Sequence, residues 1–296
     1  MRRREISLLK EIRVIFTLAV GQFRPRIGDL EHNRGTMLQL GRQARDLGAD
    51  LLILPELCLS GYLLRDQVFS SGLALDDPFL DPLLELSTDL SLVFGFVEKS
   101  ADQRYFNAAA YLEGGRVVHR HRKVYLPTYG LFEEKRFFAE GERIQAFDSR
   151  FGRTGLLVCN DLWHPSAPYL LAMDGADLIL VVSASPTRGV SEEEVSDNTR
   201  IWDLLLAHTA KTSSSFVAYA NLCGYQDGVN FWGGSRVYGP HGRILAQAGL
   251  HDAGVVAATL DTEMLRRERI YSPLRRDERL LLTWHELERI VREKYQ

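Results

Sequence analysis

Apolar runs of strand length alternate with amphipathic segments of helical period along most of this chain, and that alternation limits the folds open to it. Residues 14–22 and 49–55 are typical of buried strands. Residues 29–47 between them repeat apolar side chains at helical spacing, and Gly48 is a natural stop. No Pro/Ser-rich linker, low-complexity tract or repeat divides the sequence. The pattern therefore predicts one mixed α/β sandwich.

The other elements follow from the same reasoning, and one of them is a short apolar run that leads to Cys159. Further helices are predicted at 80–90, 169–173 and 198–212. Further strands are predicted at 92–97, 108–112, 116–122, 156–158, 177–182, 216–222, 235–238, 244–246 and 254–260, with 92–97 and 108–112 forming a hairpin.

Charge and cysteine content exclude several classes of protein. A formal charge of −3 gives no electrostatic reason to expect a nucleic acid or an anionic membrane as partner. The three cysteines show no CxxC spacing, which argues against a disulfide framework or a thiolate zinc site and favours a reducing compartment. Charged residues at positions 5, 10, 11 and 13 interrupt any signal peptide, so we expect a cytoplasmic protein.

Three segments are expected. Residues 1–12 form an N-terminal extension, residues 13–261 form the α/β domain, and residues 262–296 form a charged tail. The apolar cluster at 280–284 is expected to pack that tail on the domain or on a partner subunit.

Three side chains with matching chemistry lie at predicted strand ends. Cys159 ends an apolar run, Glu56 directly follows residues 49–55, and Lys123 directly follows residues 116–122. Open α/β sheets place their chemistry at such ends. A thiolate nucleophile, a carboxylate that accepts its proton and an ammonium that stabilises the resulting oxyanion would form a hydrolytic trio.

Other interpretations of single residues remain open at this point. Cys159 alone is typical of a small core residue, and Cys58 and Cys223 are expected to be buried packing residues. His119 and His121 lie on one face of a strand but lack an evident third ligand, so no metal site is predicted.

Together, these residues resemble the nitrilase superfamily of carbon–nitrogen hydrolases. Four ordered blocks carry the resemblance, from about residue 14 to 260. They are Pro-Glu-Leu at 55–57 with Gly-Tyr at 61–62, Arg-Lys-Val-Tyr-Leu-Pro at 122–127, Phe-Glu-Glu-Lys-Arg-Phe-Phe at 132–138, and Val-Cys-Asn-Asp at 158–161.

The resemblance implies an αββα four-layer sandwich that forms a homodimer or a higher homo-oligomer through the helical region after the cysteine. It implies that Glu56 is the general base, Lys123 the oxyanion stabiliser and Cys159 the nucleophile. Glu134 would position the lysine or the substrate, and the backbone N–H of Asn160 would complete the oxyanion hole. No metal or organic cofactor is implied.

Within the superfamily the chain most resembles the glutaminase domains of glutamine-dependent NAD synthetases. Four segments carry this resemblance: Leu-Pro-Thr-Tyr-Gly-Leu-Phe at 126–132, Cys-Asn-Asp-Leu-Trp at 159–163, Ser-Ala-Ser-Pro at 183–186 and Gly-Tyr-Gln-Asp-Gly-Val-Asn-Phe-Trp-Gly-Gly-Ser at 224–235. Asn160 replaces the acidic residue usual there. The sequence has no Ser-Gly-Gly-x-Asp-Ser pyrophosphate loop and no Walker-type loop. We therefore expect the ammonia to pass to a separate ammonia-using synthetase or to be released.

The predicted substrate is a small linear carboxamide, with glutamine the first candidate. The alternatives are an N-carbamoyl amine or amino acid, a nitrile, or no substrate at all in a non-catalytic binding module. Position within these blocks and segments makes several residues candidates for contact with the substrate, and core packing is the alternative role for the aromatic ones. The candidates are Tyr62, Tyr129, Phe132, Asn160, Trp163 and Ser185, with Trp232 a further aromatic candidate.

Overall fold

The computed structural model describes residues 13–187 and 197–295. Within these ranges the strands are β1 Ile15–Gln22, β2 Leu51–Ile53, β3 Ser91–Lys99, β4 Tyr105–Glu113, β5 Arg116–Arg122, β6 Phe147–Ser149, β7 Gly152–Val158, β8 Leu178–Ser183, β9 Phe216–Asn221, β10 Cys223–Gln226, β11 Val229–Trp232, β12 Arg236–Tyr238, β13 Ile244–Gln247 and β14 Gly254–Asp261.

The helices lie between and after these strands. They are α1 Leu30–Asp46, α2 Val68–Ser71, α3 Asp81–Leu86, α4 Glu134–Phe137, α5 Ser166–Met173, α6 Asp197–Ser213, α7 Glu263–Tyr271, α8 Leu274–Asp277 and α9 Leu280–Lys294. Short 3₁₀ turns cover Arg65–Gln67, Pro78–Leu80 and Cys159–Trp163.

Two six-stranded mixed sheets form the centre of the fold. The first has the order β14-β1-β2-β3-β4-β5 and the second β13-β12-β9-β8-β7-β6. Strands β1, β2 and β3 run parallel, as do β7, β8 and β9, and the outer strands of each sheet are antiparallel. Glu56 and Cys159 follow the carboxyl ends of the parallel strands β2 and β7, whereas Lys123 follows the antiparallel strand β5.

Side-chain alternation packs each sheet on both faces. In β1, Leu18 and Val20 join the core shared with the second sheet, whereas Ala19 faces the cluster that contains Met37 and Leu40 of α1. Because successive strand residues point to opposite faces, one sheet can bury an apolar layer on each side. Helices α1 and α3 cover the first sheet, and α5 and α6 cover the second. The predicted αββα four-layer sandwich is confirmed.

Most predicted elements are present, with small differences at their ends. The helix predicted at 80–90 is shorter, because the hydroxyls of Ser87 and Thr88 bond back to the carbonyls of Leu84 and Glu85 and end it at Leu86. The tail after residue 261 is helical, and α9 leaves most of its apolar side chains exposed. The predicted extension at residues 1–12 lies outside the described ranges, and the three segment boundaries stay predictions.

No helix in the described part of the chain is both long and apolar enough to span a bilayer.

Candidate active site

Glu56 lies in a tight turn just beyond β2 and is fully buried. The turn continues through Leu57, whose φ of 47° is left-handed. Strand β3 approaches so closely that a Cβ on Gly95 would lie 2.5 Å from the Cα of Glu56. The Ala184 backbone N–H donates to Glu56 Oε2 at 2.7 Å, and Asn107 Nδ2 donates to Oε1 at 2.7 Å. These contacts fix the carboxylate in one orientation.

Lys123 joins this carboxylate to a second one. Its Nζ donates to Glu56 Oε1 at 2.7 Å and to Glu134 Oε1 at 2.6 Å, and all three side chains are buried. Tyr62 donates its hydroxyl to Glu134 Oε1 at 2.5 Å, and Asn107 Nδ2 lies 3.4 Å from Glu134 Oε2. Buried charges require partners of this kind.

Charge balance decides the protonation of this cluster. Burial by itself lowers the pKa of Lys123, but the carboxylates of Glu134 and Glu56 raise that pKa by more than burial lowers it. The lysine therefore stays an ammonium. Burial raises the pKa of Glu134 to about 7; Lys123 opposes that rise, and the charge of Glu56 adds to it. Two carboxylates around one ammonium leave a net negative charge that disfavours full ionisation.

Cys159 follows β7 at the start of the 3₁₀ turn, with a left-handed φ of 45°. The left-handed conformation turns the chain sharply at the strand end, a geometry common for exposed or strained nucleophiles. Burial and the nearby charge of Glu56 raise the pKa of its thiol, whereas Lys123 and a hydrogen bond from Ser183 lower it. The thiol is therefore protonated before reaction and needs a base.

Asp161 connects the cysteine turn to the lysine-bearing segment. Its Oδ1 accepts the backbone N–H groups of Val124 and Tyr125 at 3.0 Å, and its Oδ2 accepts the Val158 N–H at 3.1 Å. His121 Nε2 lies 2.8 Å from the same Oδ2. One buried carboxylate thus holds the residues that flank Lys123 and Cys159.

A narrow cleft opens above Cys159. All six residues nominated as substrate contacts line it or adjoin it: Tyr62, Tyr129, Phe132, Asn160, Trp163 and Ser185. Asn160 Nδ2 donates to the Tyr125 carbonyl at 3.0 Å, and its Oδ1 accepts from the Tyr129 hydroxyl at 3.3 Å. Ser185 Oγ accepts from Asn198 Nδ2 at 2.9 Å and from Trp202 Nε1 at 2.8 Å.

Trp232 and the other residues considered from the sequence lie outside the cleft. Trp232 is buried and stacks on Tyr219 instead of lining the cleft. His119, considered above as a metal ligand, stacks on Phe147. Cys58 and Cys223 are buried away from the cleft lining, as expected of packing residues.

Sequence reasoning missed several residues that touch the cluster. Asn107 reaches both carboxylates from the otherwise apolar stretch of β4, and Ser183 reaches the sulfur from the end of β8. A lone polar residue within the apolar run at 106–112 was the signal for Asn107. Asn198 and Trp202, which complete the cleft wall, come from a helix whose periodicity indicates only packing.

The chain belongs to the carbon–nitrogen hydrolase family, whose model matches residues 17–269. The fold agrees with that family, and the protein is accordingly a hydrolase that acts on C–N bonds.

Curated relatives include two glutamine-dependent NAD(+) synthetases. That of Thermotoga maritima is 32% identical over 90% of this chain and 45% of its own length, and that of Acinetobacter baylyi is 29% identical over 86% and 46%. The chain thus spans about half the length of these relatives.

Solved structures give the same family. The glutamine-dependent NAD+ synthetase from Acinetobacter baumannii superposes with a TM-score of 0.76 at 29% identity, over 85% of this chain and 47% of that one. A mutant of the amidase from Nesterenkonia sp. AN1, showing covalent addition of the acetamide moiety of fluoroacetamide at the active site cysteine, has a TM-score of 0.76 at 27% identity and coverages of 91% and 96%.

Proposed function

We propose that this protein is a cysteine-dependent amidase that hydrolyses a small linear carboxamide through a thioester on Cys159. The observation that carries the proposal is the buried Lys123 ammonium, held between Glu56 and Glu134 at 2.7 and 2.6 Å, whose charge acts on the Cys159 thiol in the cleft lining. A structural core gains little from three buried ionic groups and a thiol in one place. A hydrolytic site needs these groups together.

Acylation begins with transfer of the Cys159 proton to Glu56 as the sulfur attacks the amide carbon. The carbonyl electrons move onto oxygen, and the Lys123 ammonium and the Asn160 backbone N–H stabilise the oxyanion. The tetrahedral intermediate then expels nitrogen, which takes the proton from Glu56 and leaves as ammonia. The acyl group remains as a thioester.

Deacylation uses the same base. Glu56, again ionised, takes a proton from water as that water attacks the thioester carbon. Collapse of the second oxyanion breaks the C–S bond and releases the carboxylic acid, and the proton on Glu56 returns to the sulfur. Glu134 keeps the lysine oriented in both halves by accepting one of its hydrogen bonds.

Glutamine is the leading substrate within this proposal. The described cleft lining combines aromatic walls with the amide and hydroxyl groups of Asn160, Ser185 and Asn198, which suits a short polar acyl chain. The names of the synthetase relatives contain glutamine, which supports the same choice. Ammonia released here would either leave the protein or supply a separate ammonia-using synthetase.

The test measures product release from glutamine, asparagine, N-carbamoyl-β-alanine and a simple aliphatic nitrile. An amidase releases ammonia from a carboxamide without carbon dioxide, an N-carbamoyl hydrolase releases both, and a nitrilase turns over only the nitrile. We expect ammonia from glutamine, its loss in Cys159→Ala, and full activity in the matched thiol control Cys223→Ala. Ammonia from none of the compounds would contradict the proposal and favour a binding module.

A further inference from the structure

Ser183 places a hydroxyl group on the sulfur of Cys159. It is the last residue of β8, is fully buried, and donates from Oγ to Cys159 Sγ at 3.3 Å. Tyr219 of β9 in turn donates its hydroxyl to Ser183 Oγ at 3.2 Å. The three side chains form a chain of hydrogen bonds that ends on the nucleophile.

The direction of this chain follows from its donors. Burial raises the pKa of Tyr219 well above its usual value, so its hydroxyl keeps its hydrogen. If Ser183 donated to Tyr219 instead, the sulfur would lose its donor and the buried phenol hydrogen would lose its acceptor. Both hydrogens find partners only when Tyr219 donates to Ser183 and Ser183 donates to Cys159.

Packing fixes Tyr219 in place. Its ring lies between Trp202, with ring centres 4.8 Å apart, and Trp232, at 5.8 Å. In the parallel pair of β8 and β9, Tyr219 is opposite Val181, so Tyr219 and Ser183 lie on the same face of the sheet. The hydroxyl of Tyr219 is therefore held in position to donate to Ser183.

The sulfur has need of such a donor. Lys123 directs hydrogen bonds to Glu56 and Glu134, so its ammonium acts on Cys159 through its charge. Burial and the carboxylate charges of Glu56 and Glu134 oppose formation of a thiolate, and Lys123 and the Ser183 hydrogen bond favour it. A hydroxyl bond to a charged sulfur is stronger than one to a neutral thiol, so it stabilises the thiolate as the Cys159 proton moves to Glu56.

The same strand end also orients the base. The Glu56 backbone N–H donates to the Ser183 carbonyl at 3.3 Å, and the Ala184 N–H donates to Glu56 Oε2 at 2.7 Å. The dipeptide Ser183–Ala184 at the carboxyl end of β8 thus contacts both catalytic partners. Its backbone bonds to Glu56, which accepts the proton, and its serine side chain bonds to Cys159, which donates it.

We propose that Ser183 is a further catalytic residue that stabilises the Cys159 thiolate, and that Tyr219 is the residue that positions its hydroxyl. This inference rests on the proposed function, because it assigns a role in generating the nucleophile.

The experiment follows alkylation of Cys159 by iodoacetamide against pH, with peptide mass spectrometry to read that cysteine alone. In Ser183→Ala the pH midpoint of alkylation should rise by about one to two units, the size expected for one hydrogen bond to a charged group. Tyr219→Phe should raise the midpoint by less than Ser183→Ala does. Ser183→Thr, which keeps the hydroxyl, should have the wild-type midpoint. For amide hydrolysis, Ser183→Ala should lower kcat with little change in KM.

The matched control is Ser215→Ala, which removes another buried serine hydroxyl, bonded to the Ala176 carbonyl outside the cleft. It should leave the alkylation midpoint and kcat unchanged. An unchanged midpoint in folded Ser183→Ala would overturn the role of Ser183; if that variant does not fold, an unchanged midpoint in Tyr219→Phe would do so. Full hydrolysis by Cys159→Ala would instead overturn the proposed function, which this titration does not measure.

Discussion

At the scale of single residues, Lys123 is the group on which the buried cluster depends. Its ammonium neutralises part of the charge of Glu56 and Glu134, neither of which is exposed to water. Removing one partner from a buried ionic group leaves the remaining charges without compensation. The lysine should therefore matter to folding as well as to hydrolysis.

We expect Lys123→Met to abolish hydrolysis and to lower the free energy of unfolding by about 3–5 kcal/mol, the range typical of a broken buried ion pair. Urea unfolding measures the second effect. Adding Glu134→Gln to this variant removes one unpaired carboxylate, so the double variant should be more stable than the sum of the single changes predicts. Strict additivity would show that the three side chains do not act as one cluster.

Glu134 should give the stability a pH dependence. Its pKa is raised by burial from 4.5 to about 7 in the folded protein, so between these values the folded state binds more protons than the unfolded state. Its contribution to stability is complete below pH about 4.5 and is lost as the pH rises through about 7. The free energy of unfolding, measured at several pH values, should fall over this range in the wild type and fall by less in Glu134→Gln.

Sequence position alone indicated part of this site. Glu56, Lys123 and Cys159 could be found because each follows a predicted strand, where sheets place reactive groups. Asn107 and Ser183 could not be found in that way. Their contacts depend on which strands become neighbours and on how the two sheets pack against each other.

At the scale of elements, the close approach of β3 to the Glu56 turn is a local requirement of the fold. A Cβ on Gly95 would lie 2.3 Å from the Leu57 nitrogen, and the surrounding atoms are backbone that cannot rotate away. We expect Gly95→Ala to displace Glu56, lowering both kcat and the melting temperature.

Gly35 provides the matched control for that change. It lies in α1, and a Cβ there meets nothing within 4 Å. Gly35→Ala should raise stability by about 0.5–1 kcal/mol through helix propensity and leave kcat unchanged. Equal melting temperatures for the two variants would contradict the importance of the β3 contact.

The elements themselves were predictable to different degrees. Strand β8 is a continuous apolar run up to Ser183, and the apolar run at 156–158 indicated the end of β7. Helix α1 begins at Leu30, directly after Asp29, whose side chain accepts from the His32 N–H. The tail was harder, because α9 has few buried contacts to confirm its periodicity and its charges were typical of a solvated segment.

At the scale of the whole molecule, the second sheet's helical layer leaves apolar area uncovered. Leu170 of α5 is 44% exposed and Leu204 of α6 is 70% exposed, and an apolar cleft between these helices and α8 adjoins them. Exposed apolar patches of this kind favour association. We propose a homodimer, or a higher homo-oligomer, that pairs through α5 and α6.

Sedimentation velocity at micromolar concentration checks this proposal. We expect a dimer or larger species for the wild type and a monomer for Leu170→Asp/Leu204→Asp, because each aspartate would place a charge in an apolar interface. Leu47→Asp, at an exposed position after α1, is the matched control and should not change the oligomer. A wild-type monomer would contradict the proposed pairing.

The measurement that tests the central claim most directly is the intact mass of the wild-type protein, quenched in acid shortly after mixing with excess glutamine. Acid protonates Glu56 and stops the activation of water that deacylation requires, so a thioester present at that moment is kept. We predict a mass increase equal to one acyl group, localised to Cys159 by peptide analysis and absent from Cys159→Ala. Glu56→Gln should show neither turnover nor adduct, because transfer of the Cys159 proton needs the same carboxylate. Turnover of glutamine by the wild type with no adduct at Cys159 would contradict covalent catalysis by this residue.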